Sequence, residues 1–176
     1  MAILVDDARW EWRGLRWAHL VSDRSRDELH EFARSIGKRR LGFQGDHYDV
    51  DSIDRDRALA GGAVAVDSRE LVRRLRDAGL RDRNAKPRWQ RLATWAPGVA
   101  MTDGPVDLRR RSEILAVDTT SAAVALFADP HQRVLLCDFP DSVVVPAGAA
   151  SMATGPRADG SWSIELYSGS TGAPGR

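Results

Sequence analysis

Cysteine is nearly absent from this sequence. Cys137 is its single cysteine, so no disulfide can form within the chain, which is typical of proteins in a reducing cytosol. Cys137 ends an apolar run that begins at Val134, which predicts a buried, unreactive thiol. No apolar run is as long as a membrane span, and the first residues lack the basic and apolar regions of a signal peptide. We therefore expect a cytoplasmic protein with no membrane partner.

Several familiar catalytic motifs are also missing. The sequence contains no G-x-S-x-G elbow, no phosphate loop of the form G-x-x-x-x-G-K-[ST], and no G-x-G-x-x-G after an apolar run. These absences argue against elbow-type serine hydrolases and against the common nucleotide-cofactor enzymes.

The charge is small in sum but unevenly distributed. The formal net charge is +1, yet residues 69–91 contain nine Lys or Arg against three Asp or Glu, and the flanking parts are mildly acidic. A basic segment of this kind is either a solvated face or a surface for nucleic acid or an acidic partner.

The first half alternates short apolar runs with amphipathic segments. Ser25 and Glu28 form a capping-box pattern, and Asp67 with Glu70 repeats it. The predicted strands are 3–5, 18–21 and 64–66, and the predicted helices begin near 25, 52 and 67. This alternation predicts an α/β fold, a small layered sheet with amphipathic helices and some parallel pairing, ending near residue 83.

The second half has a different pattern. Residues 84–97 are basic and interrupted by proline, which predicts a linker, and residues 98–167 predict a β-rich extension. The strands expected there are 114–117, 122–127, 133–137, 142–145 and 162–167, with a turn at 129–132 and a loop at 147–160. Residues 168–176 predict a flexible tail.

Ordered sequence features in the first half carry a family resemblance. They are Val5-Asp6, His19-Leu20-Val21-Ser22-Asp23, Glu28-Leu29-His30, Phe32-Ala33, His47-Tyr48-Asp49-Val50, Glu70 to Leu75 and Ala78 to Arg81. Together they resemble DUF4031, a family of short, mostly bacterial and phage proteins known only as a domain of unknown function. The resemblance covers about residues 1–83 and implies no activity. Relatives often carry proline at the positions of Asp7 and Glu11, so the resemblance favours Asp6 over Asp7.

Candidate site residues cluster in this half. Apolar runs end at Asp6, Asp23 and Asp67, and parallel strands would place all three at one edge of the sheet. His47 and Asp49 share a face if their segment is extended. Asp6, His47 and Asp49 are therefore the predicted metal ligands and catalytic residues. His19, His30 and Gln44 are further ligand candidates, whereas helix capping alone would explain Asp67 and Asp23.

Two functions remain open from the residues. The first is a metal-assisted hydrolase of a phosphate-containing substrate, with Mg²⁺, Mn²⁺ or Zn²⁺ as cofactor and with Arg13 or Arg16 as a phosphate clamp. The second is a non-catalytic module that binds nucleic acid or a protein through residues 69–91, with Arg73 and Arg74 as contacts. The sequence does not decide whether the protein is an enzyme, nor its oligomeric state.

The segment from Trp10 to Trp17 also has two interpretations. Arginine and tryptophan together can pair with phosphates and stack on bases. They can also close one end of a sheet, with indoles in the core and guanidinium stems across them. For Trp17 we favour packing.

Overall fold

The computed structural model describes residues 2–12, 14–83, 89–129, 132–141, 143–144, 151–155 and 159–168. The chain divides into two compact units, residues 1–87 and residues 88–176. In the part of the chain that the structure describes, no helix is long and apolar enough to cross a membrane.

The first unit contains five strands, three α-helices and a short 3-10 helix, Arg40–Gly42, in its described residues. The strands and α-helices are β1 (Ile3–Val5), β2 (Trp10–Trp12), β3 (Leu15–Ser22), α1 (Arg26–Ser35), β4 (Tyr48–Asp51), α2 (Ser52–Ala60), β5 (Val64–Ala65) and α3 (Ser68–Asp77).

The sheet of this unit is built around β3. β1 and β2 pair with β3 along one edge and β4 pairs along the other, all antiparallel to it. β5 pairs with β1 in parallel. The predicted α/β fold, with partly parallel pairing, is confirmed.

The two faces of the sheet have different surroundings. Leu20 and Tyr48 project to one face and pack in a core with residues of α1 and α2. Val21 projects to the opposite face and packs against leucines of α3. Because side chains alternate along a strand, His19 and Asp49 also lie on the face of α3.

The helices begin at the residues that their sequence predicted. The Ser25 hydroxyl accepts a hydrogen bond of 3.1 Å from the Glu28 amide at the start of α1. The Asp67 carboxylate does the same for two amides in the first turn of α3. Asp67 therefore caps a helix, as its position before an amphipathic segment indicated.

Strand direction separates the aspartates expected at one edge. β1 and β5 are parallel, so Asp6 and Asp67 follow them at the same end of the sheet. β3 is antiparallel to β1, so Asp23 lies at the opposite end, where its carboxylate accepts hydrogen bonds from the Ala2 amide and from Arg74. The prediction that Asp6, Asp23 and Asp67 share one edge of the sheet required three parallel strands. For Asp23 this prediction is wrong, because β3 runs antiparallel to β1.

The second unit is an antiparallel sheet with one α-helix and one short 3-10 helix, Thr119–Ser121, among its described residues. Its strands are β6 (Gln90–Trp95), β7 (Ala123–Ala128), β8 (Arg133–Phe139), β9 (Ser151–Thr154) and β10 (Trp162–Tyr167), in the order β6-β7-β8-β10-β9. α4 (Val106–Ile114) contributes the buried Leu108 to the core that also contains Ile164. The β-rich C-terminal half is confirmed.

Some local expectations in this half are wrong. Residues 114–117 form the end of α4 and the turn after it, and not the expected strand. Leu108 is the only apolar residue of α4 that is buried, so the sequence has no apolar stripe that would predict this helix. β6 lies in the segment expected to be a linker, and β9 lies in the segment expected to be a loop. Both are edge strands of the sheet, and most side chains of β6 are exposed on both faces, so β6 lacks the alternation of apolar and polar residues that predicts a strand. Val143 and Val144 are not in a strand. The remaining expectations on 84–88, 130–131, 142, 145–150, 156–158 and 169–176 lie outside the described residues.

Candidate metal centre

Asp6 and His19 form a carboxylate–imidazole pair on the α3 face. The Asp6 carboxylate is buried and accepts hydrogen bonds from the His19 amide (2.7 Å) and the Ser68 hydroxyl (2.8 Å). Its Oδ2 atom lies 3.0 Å from His19 Nδ1. A carboxylate can only accept, so Nδ1 carries the proton, which leaves Nε2 as the available ring nitrogen.

A second pair of the same kind stands beside the first. His47 Nδ1 lies 2.6 Å from the Asp46 carboxylate, which is itself buried. The other oxygen of Asp46 accepts hydrogen bonds from the Arg81 guanidinium (2.8 Å) and the Asp82 amide (2.9 Å). The two imidazoles meet edge to face, with ring centroids 5.1 Å apart.

Asp49 completes a three-residue cluster. It is the cross-strand partner of His19 in the β3–β4 pair, and its carboxylate lies 3.4 Å from His47 Nε2. One ligand atom from each of His19, His47 and Asp49 lies within 4.8 Å of the others. Two ligands of a tetrahedral zinc are about 3.4 Å apart, so the His47–Asp49 distance already suits such a site.

The second layer of this cluster matches that of protein metal sites. A metal-binding histidine ordinarily donates its other ring N–H to a carboxylate or carbonyl, which fixes the tautomer. Asp6 holds His19 in this way and Asp46 holds His47. Two imidazoles and one carboxylate suit Zn²⁺ better than Mg²⁺, which prefers oxygen ligands and bound water.

The supporting carboxylates are held in the ionised form. Burial raises the pKa of Asp6, but the hydrogen bonds from His19 and Ser68 outweigh it, so the pKa is lowered. At Asp46, burial likewise raises the pKa, and the hydrogen bonds from His47 and the Asp82 amide lower it below its ordinary value.

The same interactions act on His47 in the opposite sense. Burial lowers the pKa of His47, but its hydrogen bonds to Asp46 and Asp49 prevail and raise it to about 9. The metal-free His47 is therefore an imidazolium at neutral pH. A cation that binds Nε2 displaces a proton from it.

A cavity of about 140 Å³ opens beside the cluster. Its polar wall contains Asp6, His19, His47, Ser68 and Arg81, and its apolar wall is formed by α3 and by Val21 of β3. The His19 and Asp49 side chains are 38% and 34% exposed, so a small molecule can reach the cluster from solvent.

The remaining predicted ligands lie apart from the cluster. His30 is buried on the opposite face of the sheet, with Nδ1 2.8 Å from the Tyr48 hydroxyl. Arg16 is exposed on β3 and, by alternation, faces away from His19. Gln44 donates its backbone amide to the His47 carbonyl (2.8 Å), and Arg13 lies outside the described residues.

The two arginines proposed as partner contacts are engaged within the first unit. Arg73 on α3 pairs with Glu70 (2.7 Å) and Asp77 (2.9 Å). Arg74 pairs with Asp23 across to the end of β3. These ion pairs account for both charges without an external partner.

Arg74→Ala is expected to destabilise the protein by about 1–2 kcal/mol, because it removes the guanidinium from a largely buried carboxylate. Arg73→Ala is the matched control on the same helix and should leave stability unchanged, since its pairs are exposed to solvent. Urea denaturation of both variants measures this. Equal losses would show that the Arg74–Asp23 pair has no special role.

Sequence reasoning missed three residues of the site. Asp46 directly precedes His47, but the sequence does not show that Asp46 is buried and paired with the His47 ring. Ser68 follows Asp67 at the end of the parallel β5, and this parallel pairing brings it to Asp6. Arg81 follows α3 in a segment that reads as a basic surface, and no local pattern links it to Asp46.

Comparison with known proteins supports the family but names no activity. Residues 3–78 match the family described as "Protein of unknown function (DUF4031)". This match confirms the resemblance over that range, which contains His19, His47 and Asp49. Searches of curated proteins and of solved structures found no match.

Proposed function

We propose that the first unit is a metal-dependent hydrolase of a phosphate-containing substrate. The observation that carries the proposal is the cluster of His19, His47 and Asp49, with both imidazoles oriented by buried carboxylates. Three protein ligands leave a coordination position open, as catalytic zinc sites require.

The chemistry follows from that open position. His19, His47 and Asp49 would hold the cation, and a cation held there would supply a water of lowered pKa and polarise a phosphoryl oxygen. The role of Asp6 and Asp46 is to hold the imidazoles in the tautomer that presents Nε2. Arg81 pairs with Asp46, but its side chain is 33% exposed and lines the same cavity, so it still faces an anionic substrate. It takes the clamp role that the sequence suggested for Arg13 or Arg16.

The binding module is the weaker candidate. Its supporting feature is the basic composition of residues 69–91, but Arg73 and Arg74 are already paired within the unit. The metal centre is supported by buried carboxylates that an exposed binding surface does not require.

Elemental analysis of the full chain should find metal in stoichiometric amount, lost in His47→Ala. Zn²⁺ at about 100 times its Kd should stabilise the wild type by about 3 kcal/mol in a thermal-shift scan, and EDTA should reverse this. His30→Asn, at a histidine outside the cluster, is the control and should retain the metal.

Hydrolysis of bis(p-nitrophenyl) phosphate completes the test. We expect metal-dependent turnover by the wild type and none by His47→Ala. Absence of both metal and thermal shift would rule out the metal centre. Bound metal without any phosphoester hydrolysis would retain the centre and reject the hydrolase.

A further inference from the structure

Three tryptophans form a row that starts at the metal cluster. Trp10 lies opposite Trp17 in the β2–β3 pair, and Trp12 lies opposite Leu15. Opposed residues of antiparallel strands project to the same face, and Trp17 lies two residues before His19 on β3. The tryptophan row, Trp10, Trp12 and Trp17, therefore lies on the face that carries the cluster.

The row is continuous with the candidate ligands. The Trp10 ring lies against the His19 imidazole, with centroids 4.5 Å apart and planes inclined by 33°. The Trp17 indole donates a hydrogen bond to the Trp12 carbonyl (3.1 Å) and meets the Trp12 ring edge to face at 5.8 Å. Trp17 thus packs, as expected, and supports Trp12 from one side.

Trp12 is the exposed member of the row. Its side chain is 53% exposed, although an indole is among the most favourable groups to bury. Its position is set by the β2–β3 pairing and by Trp17, so little conformational freedom remains to be lost when a ligand covers it. A preorganised aromatic surface of this kind suits a planar ring, and every nucleobase has one.

We propose that Trp12 stacks a base of single-stranded nucleic acid whose backbone reaches the metal cluster, an inference that rests on the proposed phosphoester hydrolysis. Leu15, opposite Trp12, and His19 are four residues apart on β3, or about 13 Å at the rise of a strand. That span exceeds the distance from a base to its own phosphate. A strand of linked nucleotides therefore fits both positions, and a mononucleotide does not.

Binding of a short fluorescein-labelled oligothymidylate, followed by fluorescence anisotropy in EDTA, tests the proposal without any metal. Trp12→Ala should raise the Kd by about 5- to 150-fold, because a stacked base contributes about 1–3 kcal/mol. Trp12→Phe, which keeps an aromatic face, should retain most of the affinity. Ile53→Ala, which removes another exposed apolar side chain from the same unit, should leave the Kd unchanged.

Thymidine monophosphate as a competitor distinguishes a strand from a free nucleotide, and it should displace the oligonucleotide poorly. The proposal is overturned if the wild type fails to bind the oligonucleotide, if Trp12→Ala binds as tightly as the wild type, or if the mononucleotide competes equally well. A protein that binds the strand but no metal would instead reject the proposed hydrolase and leave the stacking site standing.

Discussion

Asp6→Asn is expected to weaken zinc binding by about 10- to 100-fold while the first unit stays folded. The substitution keeps the size of the side chain and the acceptor for the His19 amide. It exchanges the oxygen that faces His19 Nδ1 for an NH₂ group, which can only donate.

The loss arises from the histidine tautomer. Beside a carboxylate, His19 carries its proton on Nδ1, and Nε2 has a free lone pair. Beside the amide of asparagine, Nδ1 must accept, so the proton moves to Nε2 and blocks the metal ligand. The same exchange in a catalytic carboxylate–histidine pair is known to act through the wrong tautomer.

Ser68→Ala is the matched control for this substitution. Ser68 donates to the same oxygen of Asp6, so its loss disturbs the carboxylate without reversing the hydrogen bond to His19. Isothermal titration with Zn²⁺ should find nearly wild-type affinity in Ser68→Ala. Urea denaturation should show a loss of about 1–2 kcal/mol in each variant. Equal zinc affinities in Asp6→Asn and the wild type would remove His19 from the ligand set.

His30 is expected to make the protein sensitive to acid. Burial, with the nearby charges of Arg40 and Arg26, lowers the pKa of His30 to about 3 from an ordinary value of 6.5. Between these values the unfolded state binds a proton that the folded state does not. Stability therefore falls as the pH falls from 6.5 towards 3, and from pH 7 to 4.5 this residue alone accounts for about 3 kcal/mol.

His30→Asn isolates this contribution. The asparagine amide can stand near the Nδ1 position and keep a hydrogen bond to Tyr48, and it does not titrate. Urea denaturation at pH 7 and pH 4.5 should show a stability loss about 3 kcal/mol smaller in the variant than in the wild type. Carboxylates with a lowered pKa titrate in both proteins, so their contributions to the stability loss cancel in the comparison. Equal losses would mean that His30 is protonated in the folded state well above pH 3.

Helices were predicted most accurately from local signals. α2 occupies the range expected for it, and α1 and α3 begin after Ser25 and Asp67, because a capping side chain and an apolar stripe both act within a few residues. α4 has neither an apolar stripe nor a side-chain cap, so nothing local marked it.

The candidate site was predicted in part. His47 and Asp49 share a face because strand alternation is a local property, and they meet in the cluster as expected. Asp6 was expected as a metal ligand, and in the structure its carboxylate faces His19 Nδ1. His19 becomes a candidate ligand because β3 pairs antiparallel with β4 and sets it opposite Asp49.

The sequence by itself determined the α/β class of the first unit, its helix starts, the family resemblance and the residue types available for a metal. Each of these depends on neighbours within a few positions or on composition. Strand direction and register depend on contacts between residues far apart in the chain, and only the tertiary structure decided them. They separate Asp23 from Asp6, bring Ser68 and Arg81 to the buried carboxylates, and place Trp12 on the face of the cluster.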